Sequence, residues 1–381
     1  MKNKEMNVPF FLPFIDKSDI SEIKNAALST FLTNGPKLDR FEKQFQKFTN
    51  SKYAIGVSNA TSALHISLKA LEISSGDEVI VPDLTFAATA NSVLQSGAIP
   101  VIADIDEETL NISPDSIIKN LSKKTKAIIP VHFAGTPCNM KEIVKIAKNH
   151  SLKIIEDCAH GIGTYFNKKH VGNFGDTGCF SFYPTKNLTT IEGGMIITNN
   201  KKIAKYAHLV RNHGLTRTLI NRYSSGKPWE YDIENMGYNY RIDELRSALG
   251  ISQLKKVKAL NKKRLKIYQY YNEKLKNMSG LILPNKNYLN NSCHLYVVRI
   301  SSDAKISRDK LFNYLQKNGI GSTVHYKPLH EFTLYKKYSI HRDELSTTKK
   351  IYNEILSLPL YPQLSKSKQN YVIEHIRKAL I

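Results

Sequence analysis

Lys153-Ile154-Ile155-Glu156-Asp157-Cys158-Ala159-His160 decides the architecture: a short strand-like run passes directly into an acid, a cysteine and a histidine, with no polar turn between them. Strands buried on both faces read as near-continuous apolar runs rather than as alternating ones. Six more such runs surround this one, at Tyr53 to Val57, Glu78 to Val81, Pro100 to Ala103, Ala127 to Val131, Thr177 to Phe182 and Met195 to Thr198. Helix-length segments separate most of them. Strands alternating with helices specify an α/β domain whose mostly parallel sheet is covered on both faces. In such sheets ligands bind beyond the carboxyl ends of the strands, which is where Asp157 and His160 fall.

Two neighbouring segments converge on the same edge. Downstream, Phe180-Ser181-Phe182-Tyr183-Pro184-Thr185-Lys186-Asn187 leaves a strand and carries a lysine into a constrained turn, and Glu192-Gly193-Gly194 allows tight backbone passage before the next strand. Upstream, Val57-Ser58-Asn59-Ala60-Thr61-Ser62-Ala63 reads as strand, polar turn and helix start, and the free N–H groups of a helix start bind phosphate. Each feature also has an ordinary explanation: a lone lysine is usually solvated, and Asp157 or Asn59 to Ser62 could simply cap helices. The residues by themselves therefore reach an α/β enzyme with a phosphate site and a candidate lysine nucleophile.

The remaining composition limits the alternatives. The 381 residues are 41% hydrophobic, with 19 Gly and 14 Pro, enough apolar material for a large core and no bias toward disorder. No apolar run approaches a membrane span and the apolar stretch near the start is too short for a signal peptide, so a cytoplasmic protein is expected. Cys138, Cys158, Cys179 and Cys293 lack disulfide-framework or zinc spacing and are expected to be reduced and buried, with no metal site. The charge of +22 is densest between Gln253 and Lys276, where basic residues including Arg264 are read as the solvated face of an amphipathic helix. No nucleic-acid-binding motif accompanies it, so a basic nucleic-acid-binding protein is the distant alternative. Part of the charge could attract a phosphorylated substrate.

Taken together, the motifs resemble the DegT/DnrJ/EryC1/StrS sugar aminotransferases. The resemblance covers nearly the whole chain, through Asn34-Gly35-Pro36, Asn59-Ala60-Thr61-Ser62-Ala63-Leu64, Thr85-Phe86, Val131-His132-Phe133-Ala134-Gly135, Glu156-Asp157-Cys158-Ala159-His160 and Ser181 to Leu188. It continues through Glu192-Gly193-Gly194, Arg211-Asn212-His213-Gly214, Gly237-Tyr238-Asn239-Tyr240-Arg241 and His325-Tyr326-Lys327-Pro328. It implies an aspartate-aminotransferase-like (fold type I) large domain with a mostly parallel seven-stranded sheet at residues 20–250. A smaller α+β domain at 251–381 would follow, with residues 1–19 packing against it.

It also implies pyridoxal 5′-phosphate (PLP) as cofactor, passing through pyridoxamine 5′-phosphate. Lys186 would hold the cofactor and shuttle the proton, Asp157 would keep the pyridine nitrogen protonated, and His160 would orient the ring. Phe86 would lie over the ring, while Ala60, Thr61 and Ser181 would hold the phosphate, with Ser62 a weaker candidate. Asn239 would reach the phosphate of a neighbouring subunit, making a homodimer with shared sites the expected unit. Arg211, His325 and Tyr326 are expected substrate contacts. The implied substrates are L-glutamate and a UDP- or dTDP-linked keto-sugar. The turn from Pro184 to Thr190 looks like that of the members forming 4-amino sugars from 4-keto-6-deoxy sugars, with a 3-keto-sugar enzyme as the alternative.

Overall fold

The computed structural model describes residues 6–216, 229–284 and 290–380. The seven apolar runs are the seven strands of one sheet: β1 (Tyr53–Val57), β2 (Glu78–Pro82), β3 (Ile99–Ala103), β4 (Thr125–Ile128), β5 (Lys153–Asp157), β8 (Thr177–Ser181) and β9 (Gly194–Thr198). The intervening β6 (Tyr165–Phe166) and β7 (Lys169–His170) form a small separate ribbon. The order is β1-β9-β8-β5-β4-β2-β3, parallel except that β9 runs against both neighbours. The run expected to continue to Val131 leaves the ladder after Ile128. Beyond that point Ile129 still donates to the Ile80 carbonyl (2.8 Å), and Val131 makes one isolated bridge to Asp157.

Period-two alternation along these strands builds two cores. Val79, Val81, Ile155 and Ile196 face helices α3 (Ala60–Ala70), α4 (Ala88–Gln95) and α7 (Lys201–Val210), contacting Leu64, Leu68, Val93 and Ala207. On the other face Ile80, Ile128 and Ile154 meet α6 (Met140–Asn149), while Phe180, Met195 and Ile197 meet Phe41, Phe45 and Val257. These last come from α2 (Pro36–Thr49) and α8 (Glu244–Leu275). The Asn34-Gly35-Pro36 motif starts α2 and leaves its first N–H groups without a side-chain cap of its own. The Glu244 carboxylate supplies the acceptor instead, receiving Gly35, Lys37 and Leu38 N–H at 2.7–3.0 Å.

The expected boundary between residues 250 and 251 falls inside α8. Its first half packs under the large sheet, and its second half, through Ile267, Tyr268, Tyr271 and Leu275, enters a second core. That core joins the antiparallel sheet β10 (Leu281–Ile282), β11 (Tyr296–Ile300) and β12 (Ile355–Leu358) to α9 (Arg308–Lys317) and α12 (Lys366–Leu380). Val8 belongs to it and pairs with Ile320. Residues 285–289, in the polar stretch ahead of β11, lie outside the described residues.

Two expectations about the C-terminal half are corrected. Residues 329–345, placed in the smaller domain, return to the large one: Leu329, Tyr335 and Leu345 join its core, and Ile340 covers the open edge of β3 through Ile102 N–H (2.8 Å) and the Pro100 carbonyl (3.1 Å). Arg264 does not belong to the solvated face of α8. It is buried and donates to the His294 and Leu360 carbonyls, which ties α8 to one end of the small sheet, where β11 begins and β12 ends. Among the described residues no helix is long and apolar enough to cross a membrane, and all four cysteines are free and buried.

Candidate active site

Sheet direction gathers the motif residues. β5 ends at Asp157, the parallel β8 ends at Ser181, β1 ends just before α3, and β2 ends just before Thr85-Phe86, all at one edge. Lys186 stands in the loop after β8, which is closed by Lys186 N–H to the Tyr183 carbonyl (2.9 Å), Thr190 N–H to the Phe182 carbonyl (2.9 Å) and Phe182 N–H to the Gly193 carbonyl (2.9 Å). The Asn187 amide fastens the same loop to α8 and to the smaller domain, donating to Asn261 Oδ1 (2.8 Å) and the Ser292 carbonyl (2.7 Å). Gly194 is required where β9 passes the start of α3, since a Cβ there would lie 2.5 Å from the Asn59 carbonyl.

Electrostatics single out the lysine and the acid. Burial pushes the Lys186 ammonium down from 10.5 to about 8, opposed by the negative charge of Asp157. Asp157 is buried, and burial raises its carboxyl above the usual range, opposed by hydrogen bonds from Ala159 N–H (3.1 Å) and Thr89 Oγ1 (2.9 Å) and by the charges of Lys186 and His132. These two bonds fill about half of the four acceptor positions of a carboxylate. At α3, Asn59 Oδ1 takes Ser62 N–H and Ser62 Oγ, and the Asn59 carbonyl takes Ala63 N–H. The N–H groups of Ala60 and Thr61 are thereby left as the open donors of the helix start. Ser62 is buried with its hydroxyl held by Asn59 and Ser58, while Ser181 Oγ lies at the adjacent strand end and accepts from Tyr183 N–H (3.4 Å).

The aromatic residues line the cavity over the lysine. His160 Nδ1 accepts from Ala134 N–H (3.2 Å), so the proton of the neutral ring sits on Nε2 and is donated to Tyr326 Oη (3.2 Å). Burial, Lys186 and His325 all hold His160 well below its ordinary pKa. Phe86 is 61% exposed, with its ring centroid 5.9 Å from that of Tyr326. His325 Nδ1 lies 2.8 Å from Ser357 Oγ, and burial together with Lys186 pushes its pKa down to about 3. His325 and Tyr326 share a cavity with Phe10, Phe11, Lys186 and His294.

Two residues stand apart. Arg211 is buried and spent on the Glu42 carboxylate and the Gly56 carbonyl, so the geometry gives no support to a substrate contact there. Asn239 is exposed and bridges by its backbone to Asn212. Two others went unread in the sequence as parts of the site. Glu156 sits fully buried behind Asp157 and accepts four hydrogen bonds, from Gly172, Phe174 and Gly175 N–H and from His132 Nε2. His294 packs against His160 with centroids 4.3 Å apart and the rings tilted by 36°. Its only sequence mark is a histidine opening an apolar strand, a pattern that names no chemistry.

A buried acid with spare acceptor capacity, a desolvated lysine and an open helix start on one strand edge are groups of the kind that a PLP-binding enzyme requires. The model of the DegT/DnrJ/EryC1/StrS aminotransferase family matches residues 13–377, and the chain belongs to that family. It is 39% identical to the spore coat polysaccharide biosynthesis protein SpsC of Bacillus subtilis, over 97% of this chain and 96% of SpsC. Among solved structures, Helicobacter pylori PseC, an aminotransferase involved in pseudoaminic acid biosynthesis, superposes with a TM-score of 0.90 at 29% identity, over 98% of this chain and 99% of PseC. The sugar aminotransferase Spr1654 of Streptococcus pneumoniae in its pyridoxamine phosphate form gives 0.92 at 28%, over 98% of this chain and 99% of that one. The protein is therefore a PLP-dependent sugar aminotransferase.

Proposed function

We propose that this chain moves an amino group from L-glutamate to a nucleotide-linked 4-keto-6-deoxy sugar, giving a 4-amino sugar. The observation that carries the reading is Lys186, held at about 8 by burial beside Asp157 in a loop pinned to both domains. An amine with that pKa is divided between its two protonation states near neutrality, as a group that both takes and returns a proton must be. The preference for C4 over C3 rests on the Pro184 to Thr190 turn, and the preference for a UDP- over a dTDP-linked sugar is slight.

PLP, when bound, supplies the electron sink that stabilises a carbanion at the substrate carbon. Lys186 holds the cofactor and moves the proton to and from that carbon through Nζ. Asp157 gives its unused acceptor positions to the pyridinium N–H. His160, immobilised by Ala134 and Tyr326, orients the ring, and Phe86 covers it. Ala60 and Thr61 N–H, with Ser181 Oγ, hold the phosphate. Exposed Asn239 completes the phosphate site of a second copy, so the working unit is a homodimer. The exposed apolar residues Trp229, Ile233 and Met236, just before it in the chain, support a covered surface there. The enzyme acts in the cytoplasm.

The test is the absorption spectrum of the PLP-loaded protein before and after L-glutamate, followed by a panel of UDP- and dTDP-linked 4-keto and 3-keto sugars. The lysine-linked cofactor band should bleach with glutamate and return with a 4-keto sugar, and Lys186→Ala should lack the band. A return only with 3-keto sugars would sink the assignment to C4.

A further inference from the structure

The contact of His294 with His160 carries chemistry beyond packing. The Asn187 amide settles which His294 nitrogen carries the proton. Both N–H bonds of Asn187 Nδ2 are committed, to Asn261 Oδ1 and the Ser292 carbonyl, and Asn261 is itself oriented by donating Nδ2–H to the Ile162 carbonyl (3.0 Å). Asn187 Oδ1, 2.9 Å from His294 Nδ1, must therefore accept, which places the His294 proton on Nδ1. Burial, with His160, Lys186, Arg264 and His325 around it, keeps the ring neutral. Nε2 is then a bare lone pair. Among the described residues it has no hydrogen-bond partner and is not one of the sealed polar atoms, and His294 lines the cavity of Lys186, His325 and Tyr326.

The opposite polarity stands beside it. Tyr326 Oη accepts the His160 proton, so its own O–H is free to donate. Beside Lys186 the cavity thus sets a fixed acceptor, His294 Nε2, near a free donor, the Tyr326 hydroxyl. The carboxylates of an amino acid offer only lone pairs, which a bare imidazole nitrogen repels, and its donor, the α-amine, is the group that must reach the cofactor instead. A hydroxylated keto-sugar offers a donor beside an acceptor.

We propose that His294 is a substrate-contact residue for the sugar, its Nε2 accepting a hydrogen bond from a sugar hydroxyl while Asn187 locks the tautomer that makes this possible. The inference rests on the proposed function. Discrimination between the two substrates of one site follows: a pocket built to pair a hydroxyl penalises a ligand that lacks it.

The test measures the two half-reactions separately on PLP-loaded enzyme, by single-turnover absorbance with L-glutamate and then with the same panel of keto-sugars. His294→Asn can still donate to Asn187 but removes the acceptor, whereas His294→Gln returns an oxygen near the Nε2 position. His294→Asn should slow the sugar half-reaction about tenfold to a hundredfold, with the glutamate half-reaction changed less than about twofold, and His294→Gln should recover part of the loss. Equal losses in both halves, or no loss in either, would overturn the inference and leave the proposed function standing. A parent enzyme that responds to glutamate but aminates no sugar of the panel would overturn both.

Discussion

Replacing Glu156 by Gln tests whether the strand that delivers Asp157 is held from behind. Oε1 accepts from Phe174 N–H (2.6 Å) and Gly175 N–H (2.8 Å), and Oε2 accepts from Gly172 N–H (2.7 Å) and His132 Nε2 (3.1 Å). All four partners donate. His132 cannot reverse its role, because its Nδ1 already accepts from Cys138 N–H (3.1 Å). A glutamine has one oxygen and one NH2 group, and in either orientation two buried donors face another donor. At roughly 1–3 kcal/mol for each buried group left unsatisfied, the loss is about 2–6 kcal/mol, a large share of the ~5–15 kcal/mol that holds a typical domain together. Urea unfolding of the cofactor-free proteins, followed by circular dichroism, should show a lower midpoint at unchanged slope. A midpoint that moves by less than the equivalent of about 1 kcal/mol would refute the accounting.

Lys186 should leave a pH signature in the cofactor-free protein. Its folded pKa of about 8 lies below the unfolded 10.5, so between these values the unfolded chain binds more protons and stability rises with pH, with the full penalty present below about 8. Thermal unfolding across that window should show the rise in the parent and lose it in Lys186→Met. Glu244→Ala should destabilise by about 1–3 kcal/mol, because three N–H groups at the start of α2 lose their acceptor; an unchanged melting temperature would contradict the cap. For the proposed shared site, Lys186→Ala and Asn239→Asp proteins should each be inactive alone. Unfolded and refolded as an equal mixture, they should recover about a quarter of parental activity, since half the dimers would hold one intact site of two. No recovery would argue against sharing.

The large sheet was legible because its strands have apolar centres and helix-length segments separate most of them. The ends were less so: Ala127 to Val131 is apolar throughout, yet the chain leaves the ladder after Ile128, where Pro130 has no N–H to continue it. Lys186 and Asp157 were legible as motif positions, each beside its strand. The partners that define their environment were not, since Asn187 meets His294 across 107 residues of sequence, and Arg264 meets the Leu360 carbonyl across 96. Arg264 in particular sits in a lysine-rich run and differs from its neighbours only in facing the core. Helical periodicity places it near the apolar arc, but a charged side chain in a run of lysines reads as solvated. Residues 329–345 were assigned to the smaller domain because sequence order suggests continuity, whereas the unpaired edge of β3 draws them back.

The end of β5 shows why one dipeptide can serve stability and chemistry together. Alternation in a strand sends the consecutive acids Glu156 and Asp157 to opposite faces of the sheet. On one face Glu156 is saturated: four donors fill its acceptor positions, and they come from the segment around Gly172 to Gly175 and from His132. On the other face Asp157 receives only Thr89 and Ala159 and keeps capacity in reserve. A buried carboxylate with that reserve costs stability unless a cationic donor arrives, and burial has already raised its pKa. Cofactor binding should therefore stabilise the chain through Asp157, while Glu156 contributes equally with or without it. Asp157→Asn should then shrink the rise in melting temperature on adding PLP while leaving the cofactor-free protein as stable as the parent or more so. Glu156→Gln should lower both melting temperatures and leave their difference intact. If the two variants behaved alike, the division of labour between the faces would be wrong.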